Sequence, residues 1–422
     1  MTINTFAVII LAALIIDYAL KLIGNVLNLR ALKLELPPVL QAIYKPEEYR
    51  KSQEYLRVNT RFGLLESTFN LLVLLIFWIA GGFNWFYGVI TGWNMPSVLA
   101  GLLYIGILML AYTVLQLPFN IYSTFVIEER FGFNKTTLRT FIIDLVKGFL
   151  LALILGGLIL AGTMALFQYA GRFAWLYCWA AVIVFSLAMQ YVAPTWIMPL
   201  FNKYTPMAEG ELREAILKYA GSVNFPVKNI YVMDGSKRST KSNAFFTGFG
   251  NNKRIALFDT LIAQHTIPEM VAVLAHEVGH YKKKHILQGM VISVLHMAVL
   301  FYLLSLFVTN AGLYQAFSIA QQPVYAGLLF FGLLYTPIEL VLGIVMEMIS
   351  RKNEYEADRF AAETIDDPLS LIEGLKKLSA TNLSNLTPHP FYVFINYSHP
   401  PLLQRIAAIE KVKREDKARF GT

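Results

Sequence analysis

The stretch Val271–His285 reads VAVLAHEVGHYKKKH, and inside it His276-Glu277-Val278-Gly279-His280 forms an H-E-x-x-H pattern. On a helix each residue turns about 100°, so His276 and His280 share a face, about 6 Å apart along the axis. Two imidazoles at that separation can bind one Zn²⁺, each at about 2.0–2.1 Å. Glu277 points about 100° away from His276, where it flanks a metal rather than binding it and can take a proton from water. The run has a helix start signal, because Ile267-Pro268-Glu269 puts a proline and an acid in the first turn. Val271, Leu274, Val278 and Tyr281 then recur at helical spacing. Gly279 is a weak point in a helix; it either keeps the floor of the site small or simply costs stability.

Composition sets the class. Hydrophobic residues make up 56% of the 422, charged residues 15%, and the mean hydropathy is +0.51. A soluble domain carries about 25% charged residues, so this is a membrane protein with several spans. The single cysteine, Cys178, excludes an intramolecular disulfide framework and a cysteine-based zinc site. The N-terminus lacks the basic n-region and A-x-A end of a signal peptide, so it reads as a first span that is kept. No motif supports nucleic-acid binding.

Runs of roughly twenty apolar residues or more, enough to cross about 30 Å of hydrocarbon, fall near Phe6–Leu27, Gly63–Phe83, Val98–Leu117, Ile142–Tyr169, Phe173–Pro194, Ile286–Thr309 and Val324–Ile349. Lys and Arg alternate between the connections. Ala31–Phe62 has 6, Pro118–Phe141 has 3, Trp196–His285 has 12 and the tail from Arg351 has 11, while the other face has Arg172 alone. This predicts an N-terminus outside and a C-terminus in the cytosol. Four segments follow: 1–195, spans one to five with their loops; 196–285, a cytosolic segment with the H-E-x-x-H helix; 286–349, spans six and seven; 350–422, a cytosolic C-terminal segment. Asp17, Lys21, Glu66, Asp144, Lys147, Glu339 and Glu347 lie inside apolar runs, where charges usually face a bundle interior or water. Asp17 and Lys21, at i,i+4, are expected to pair.

The orientation locates a third ligand. Span six leaves the cytosol and span seven returns, so the residues after span seven lie at the depth of the two histidines. There the chain reads Ser350-Arg351-Lys352-Asn353-Glu354-Tyr355-Glu356-Ala357-Asp358. A catalytic zinc takes three protein ligands and leaves one position open, and Glu354 is the expected third. Asp358, one turn on, shares its face and can hold a ligand histidine. Glu356 points about 200° away from Glu354. His285 and His296 miss the ligand face, His265 reads as structural and His389 as a loop residue. His399, in Tyr397-Ser398-His399-Pro400-Pro401 before Gln404-Arg405, is either an oxyanion donor or a satisfied surface histidine.

Between spans five and six, Asn229–Met233 and Arg254–Phe258 read as short strands. Ser242–Gly250, with turn residues Asn251-Asn252, suggests a hairpin beside the zinc helix. Its edge is either an ordinary hairpin or a surface that pairs with an extended peptide, with Asn243 holding one more amide.

Taken together, the chain resembles the type I CAAX prenyl protease family of integral-membrane zinc metalloproteases, over essentially its whole length. The resemblance rests on seven spans, Glu128-Glu129-Arg130-Phe131-Gly132-Phe133-Asn134-Lys135, Ser242-Asn243-Ala244-Phe245, Lys253-Arg254-Ile255, the H-E-x-x-H, Glu354-Tyr355-Glu356-Ala357-Asp358, and Ser398-His399-Pro400-Pro401 with Arg405. It implies one zinc held by His276, His280 and Glu354, with Glu277 as base. It implies His399 and Arg405 acting on substrate or oxyanion, and a peptide-pairing strand containing Asn243, Ala244 and Phe245. It also implies a mainly α fold, seven spans forming a barrel around a large intramembrane chamber, with a C-terminal CAAX peptide, its cysteine prenylated, as substrate. The last four residues, Arg419-Phe420-Gly421-Thr422, carry no ER-retention signal, and the length suggests a bacterial cytoplasmic-membrane homologue. Two other functions fit the sequence: quality control of misfolded or stalled membrane proteins, and a non-catalytic membrane chaperone or lipid handler with structural zinc.

Overall fold

The structure, a computed structural model, describes residues 3–420 apart from 34, 37, 39–40, 42–44, 228 and 248–253. Its helices long and apolar enough to cross a membrane number 7: Thr5–Arg30, Pro46–Ile79, Ser97–Glu128, Leu138–Tyr169, Gly171–Phe201, His285–Phe307 and Val324–Thr364. Each overlaps one run read from the sequence; several outlast it, while two stop short, at Ile79 and Phe307 where the runs reach Phe83 and Thr309. The second begins at Pro46, well before Gly63, because a proline at its first position and Glu47 and Glu48 in its first turn start it in polar sequence. The seventh does not stop at Ile349. It continues as one helix to Thr364 and carries Glu354 and Asp358 beyond the apolar run. A further helix, Gly82–Gly92, packs Phe83, Phe86 and Ile90 beneath the second and third spans.

Within each span's most apolar window only 6–22% of residues are buried. A solid bundle would bury far more, so the spans present apolar surface both to lipid and to a hollow interior. They form the expected barrel, and spans one, two, three and seven wall a cavity of about 620 Å³ lined by Tyr18, Leu74, Ile105 and Leu329 among others. Lys21 and Asp17 border it and pair at 2.7 Å, as their spacing predicts. Three of the other intramembrane charges also find partners, whereas Glu347 Oε2 is buried without a hydrogen bond. Asp144 takes a bidentate Arg238 at 2.7 and 2.9 Å, Lys147 donates to the Leu200 carbonyl at 2.6 Å, and Glu339 meets His296 at 3.2 Å.

The soluble segment is more than the expected hairpin. Four strands, β1 (Tyr204–Pro206), β2 (Asn229–Met233), β3 (Ala244–Thr247) and β4 (Arg254–Phe258), form one sheet in the order β1-β2-β4-β3. β3 and β4 make the antiparallel hairpin, whereas β2 runs parallel to β4. The turn read at Gly248–Asn252 lies outside the described residues. A core under the sheet joins Ile255 and Leu257 of β4 to Met270, Leu274 and Val278 of the helix Ile267–Lys282, hereafter the motif helix. Pro368–Thr381 and Leu402–Phe420 close that core through Ile372, Leu375, Ile406 and Ile409.

Candidate active site

The motif helix is fixed at its start by Glu269, whose carboxylate accepts the Thr266 N–H at 2.9 Å and closes a capping box. It crosses the long helix Val324–Thr364 where Gly279 meets Ala357. A Cβ on Gly279 would lie 3.0 Å from both the Cα and the carbonyl oxygen of Ala357. Ala357 is fully buried at this contact. The sequence left open whether Gly279 keeps the site small or only weakens the helix. The crossing favours the first: even a methyl group there would need the two helices to give by a few tenths of an ångström.

That close approach brings the ligand candidates together. His276 Nε2 and His280 Nε2 are 3.1 Å apart. Glu354 straddles them, with Oε2 3.4 Å from His276 Nε2 and Oε1 3.3 Å from His280 Nε2. One donor atom from each residue lies within 4.8 Å of the others. Among the described residues this is the one cluster of three or more such donors. Glu354 Oε2 is buried without a hydrogen bond. Two ring nitrogens and an unbonded carboxylate oxygen converging out of water call for a cation, and the His₂Glu set matches the open sites of catalytic zinc. The pocket is tuned for positive charge. Burial disfavours a charged His276 ring, yet Asp358 and Glu354 outweigh it and draw its pKa up to about 9.

Each neighbour has a definite place. Asp358, 1% exposed, accepts from His276 Nδ1 at 2.8 Å. Burial pushes the Glu277 carboxyl up from the usual range, against the pull of His276 and His280. His399 is exposed, with Nε2 3.3 Å from Glu354 Oε1 and Nδ1 2.8 Å from Ser398 Oγ. Arg405 grips Asp358 bidentately through Nε and Nη2 at 2.7 and 2.6 Å, and its Nη1 lies 3.6 Å from Glu354 Oε2. β3 is an edge strand beside the motif helix. Asn243 ends it, its Oδ1 accepting the Ala244 N–H at 2.8 Å and its carbonyl accepting the Phe258 N–H at 3.2 Å. Ala244 and Phe246 pack into the core, while Phe245 faces the opposite side beside Pro194 and Met198.

Two residues set aside in the sequence stand at the cluster. His285 Nδ1 is 3.0 Å from His280 Nδ1, and His285 Nε2 is 3.2 Å from Glu356 Oε2. Periodicity hid His285 because the helix does not continue to it. Lys284 adopts a left-handed backbone, φ 62°, and the next helix starts in a new direction. Glu356 does point away from Glu354, and that direction is toward His285.

Seven spans, a hollow interior and a buried His₂Glu cluster beside a raised carboxyl define an integral-membrane zinc metalloendopeptidase. Residues 25–203 match the family model "CAAX prenyl protease N-terminal, five membrane helices", and residues 206–413 match peptidase family M48. The chain is 38% identical to a "Probable CAAX prenyl protease 1" of Schizosaccharomyces pombe, over 89% of this chain and 82% of that one. It is 36% identical to "CAAX prenyl protease 1" of Saccharomyces cerevisiae (91% and 90%) and 32% identical to the human "CAAX prenyl protease 1 homolog" (90% and 89%). The crystal structure of S. mikatae Ste24p superposes with a TM-score of 0.91 at 34% identity, covering 97% of this chain and all of that one. The chain belongs to the CAAX prenyl protease 1 family of M48 peptidases. These relatives are eukaryotic, which removes the support for a bacterial origin that chain length had suggested.

Proposed function

We propose that the chain hydrolyses peptide bonds near the C-terminus of prenylated CAAX-type substrates, at the cytosolic end of its chamber. The observation that carries this reading is the likeness to proteins named CAAX prenyl protease along about nine-tenths of the chain, with the peptidase family M48 match at residues 206–413 spanning every site residue above. The bias of Lys and Arg toward one set of connections supports the orientation, with the N-terminus outside and the C-terminal segment in the cytosol.

In this reading His276, His280 and Glu354 hold the zinc. When bound, the metal supplies Lewis acidity and a nucleophile at neutral pH. Glu277, its carboxyl raised by burial, takes the proton of the attacking water and returns it to the leaving amine. His399, exposed on the open side of Glu354, donates to the oxyanion of the tetrahedral intermediate. Asp358 orients His276, and Arg405 is a positioning residue that holds Asp358. The free edge of β3, from Asn243 through Ala244 and Phe245, pairs with the extended peptide. A purely structural zinc is disfavoured, since structural sites close with four protein ligands and here the fourth neighbour, Glu277, is a raised carboxyl.

The test is hydrolysis of a farnesylated CAAX peptide by purified protein, wild type against Glu277→Gln, with zinc measured in both. The expected result is cleavage by wild type only, with zinc in both. Zinc in both without cleavage by either rejects the CAAX substrate and leaves unlipidated or misfolded membrane proteins. A wild type without zinc rejects the site.

A further inference from the structure

His285 opens the sixth span helix, His285–Phe307, directly after the left-handed Lys284. That reversal folds its ring back against the motif helix, 5.1 Å from the His280 ring and steeply inclined to it at 73°. The side chain is only 6% exposed. Its two ring nitrogens are both engaged, Nδ1 by His280 Nδ1 at 3.0 Å and Nε2 by Glu356 Oε2 at 3.2 Å. The other oxygen of Glu356 lies 3.7 Å from Lys352 Nζ.

Counting protons along this chain leaves one neutral arrangement. A carboxylate only accepts, so the hydrogen toward Glu356 sits on His285 Nε2. A neutral imidazole then has a bare Nδ1, which accepts. The hydrogen between the two rings therefore belongs to His280 Nδ1. That leaves the His280 Nε2 lone pair directed at His276 Nε2 and Glu354, the centre of the cluster. We propose that Glu356 and His285 form a positioning relay that locks His280 in its Nδ1–H tautomer and aims its Nε2 at the zinc. Asp358 does the same for His276 directly, at 2.8 Å. The cluster thus has two orienting arms, one a carboxylate alone and the other a carboxylate acting through an imidazole.

The inference rests on the zinc-site reading, and the experiment separates the two. Zn²⁺ affinity of the full chain in detergent is measured by chelator competition, together with the visible absorption of the Co²⁺-loaded protein. His285→Leu removes the acceptor and should weaken Zn²⁺ binding about tenfold or more. His285→Asn places a carbonyl oxygen near the position of Nδ1, has no tautomer to set, and should recover most of the loss and the wild-type Co²⁺ spectrum. Glu356→Met should weaken binding in the wild-type background and cost nothing in the His285→Asn background, because Glu356 then has no ring to orient. A merely structural role for Glu356 would cost the same in both. Equal cost in the two backgrounds overturns the relay, as does wild-type affinity in His285→Leu. If His285→Leu does not fold, the Glu356→Met pair decides alone. A wild type that fails to bind zinc overturns the site reading itself.

Discussion

Gly279 and Ala357 touch backbone to backbone. The Cβ that Gly279 lacks would sit 3.0 Å from the Cα and from the carbonyl oxygen of Ala357. Neither atom can move without moving the long helix, and that helix carries Glu354 and Asp358 on either side of the contact. The distance between the H-E-x-x-H and its third ligand is thus set by the absence of one methyl group.

Gly279→Ala should therefore separate the two helices by a few tenths of an ångström and lower zinc affinity, despite the better helix propensity of alanine. Gly279→Val should also destabilise the fold by about 1–3 kcal/mol through overpacking. Thermal unfolding in detergent, with and without added zinc, measures both. Wild-type zinc retention in Gly279→Val would show that the crossing is not what sets the site.

Asp358 is buried and holds two partners, His276 Nδ1 and the guanidinium of Arg405. Removing either charge leaves the other stranded. Arg405→Ala should cost about 3–5 kcal/mol of stability, the usual result of breaking a buried pair from one side. Arg405→Lys should recover little, because an ammonium cannot reproduce the two parallel bonds at 2.6 and 2.7 Å. Denaturation midpoints of the three proteins decide this. Near-complete rescue by lysine would mean that charge alone matters there.

Glu269 makes the start of the motif helix sensitive to acid. Burial works to raise its carboxyl, but Lys377 at 2.6 Å and the Thr266 N–H outweigh burial and hold it below the ordinary value. A group depressed in the folded state stabilises above the unfolded glutamate pKa of about 4.3, and that stability is lost as pH falls through the folded value. Glu269→Gln should thus be less stable than wild type at neutral pH, with the gap closing on acidification below about pH 4. Unfolding followed from pH 7 to pH 3 gives the gap directly; a gap that widens toward acid contradicts the ion pair.

Asn243 caps β3 by holding the Ala244 N–H. Asn243→Ala should loosen the edge, raising KM for the peptide more than it lowers kcat, with zinc content unchanged. Steady-state kinetics with zinc analysis would show a pure kcat loss if Asn243 served the chemistry instead.

The His276, His280 and Glu354 cluster was legible in the sequence because local geometry brings it together. H-E-x-x-H projects two imidazoles from one face of any helix, and the antiparallel return of span seven put Glu354 and Asp358 at their depth. The spans were legible from apolar length alone. Their continuation was not, since the polar residues from Arg351 to Thr364 read as a cytosolic tail, whereas in the fold they extend the same helix. β1 escaped notice because it is a 3-residue edge strand ending in Pro206. The orienting role of His285 was hidden by one backbone dihedral, at Lys284, that no periodicity encodes. Arg405 was found, but its bidentate commitment to Asp358 comes from a contact 47 residues apart in the chain.

The unbroken helix Val324–Thr364 also works as a ruler. From Val324 to Glu354 is 30 residues, about 45 Å of continuous helix at 1.5 Å per residue, with Pro337 inside it. With its apolar stretch seated in the hydrocarbon, the height of Glu354 above the bilayer midplane would be set by one helix rather than averaged over a loop. For the prenylated substrate proposed above, the scissile bond would have to be presented at that height, so the reach of such a substrate from its lipid anchor would be gauged as strictly as its sequence.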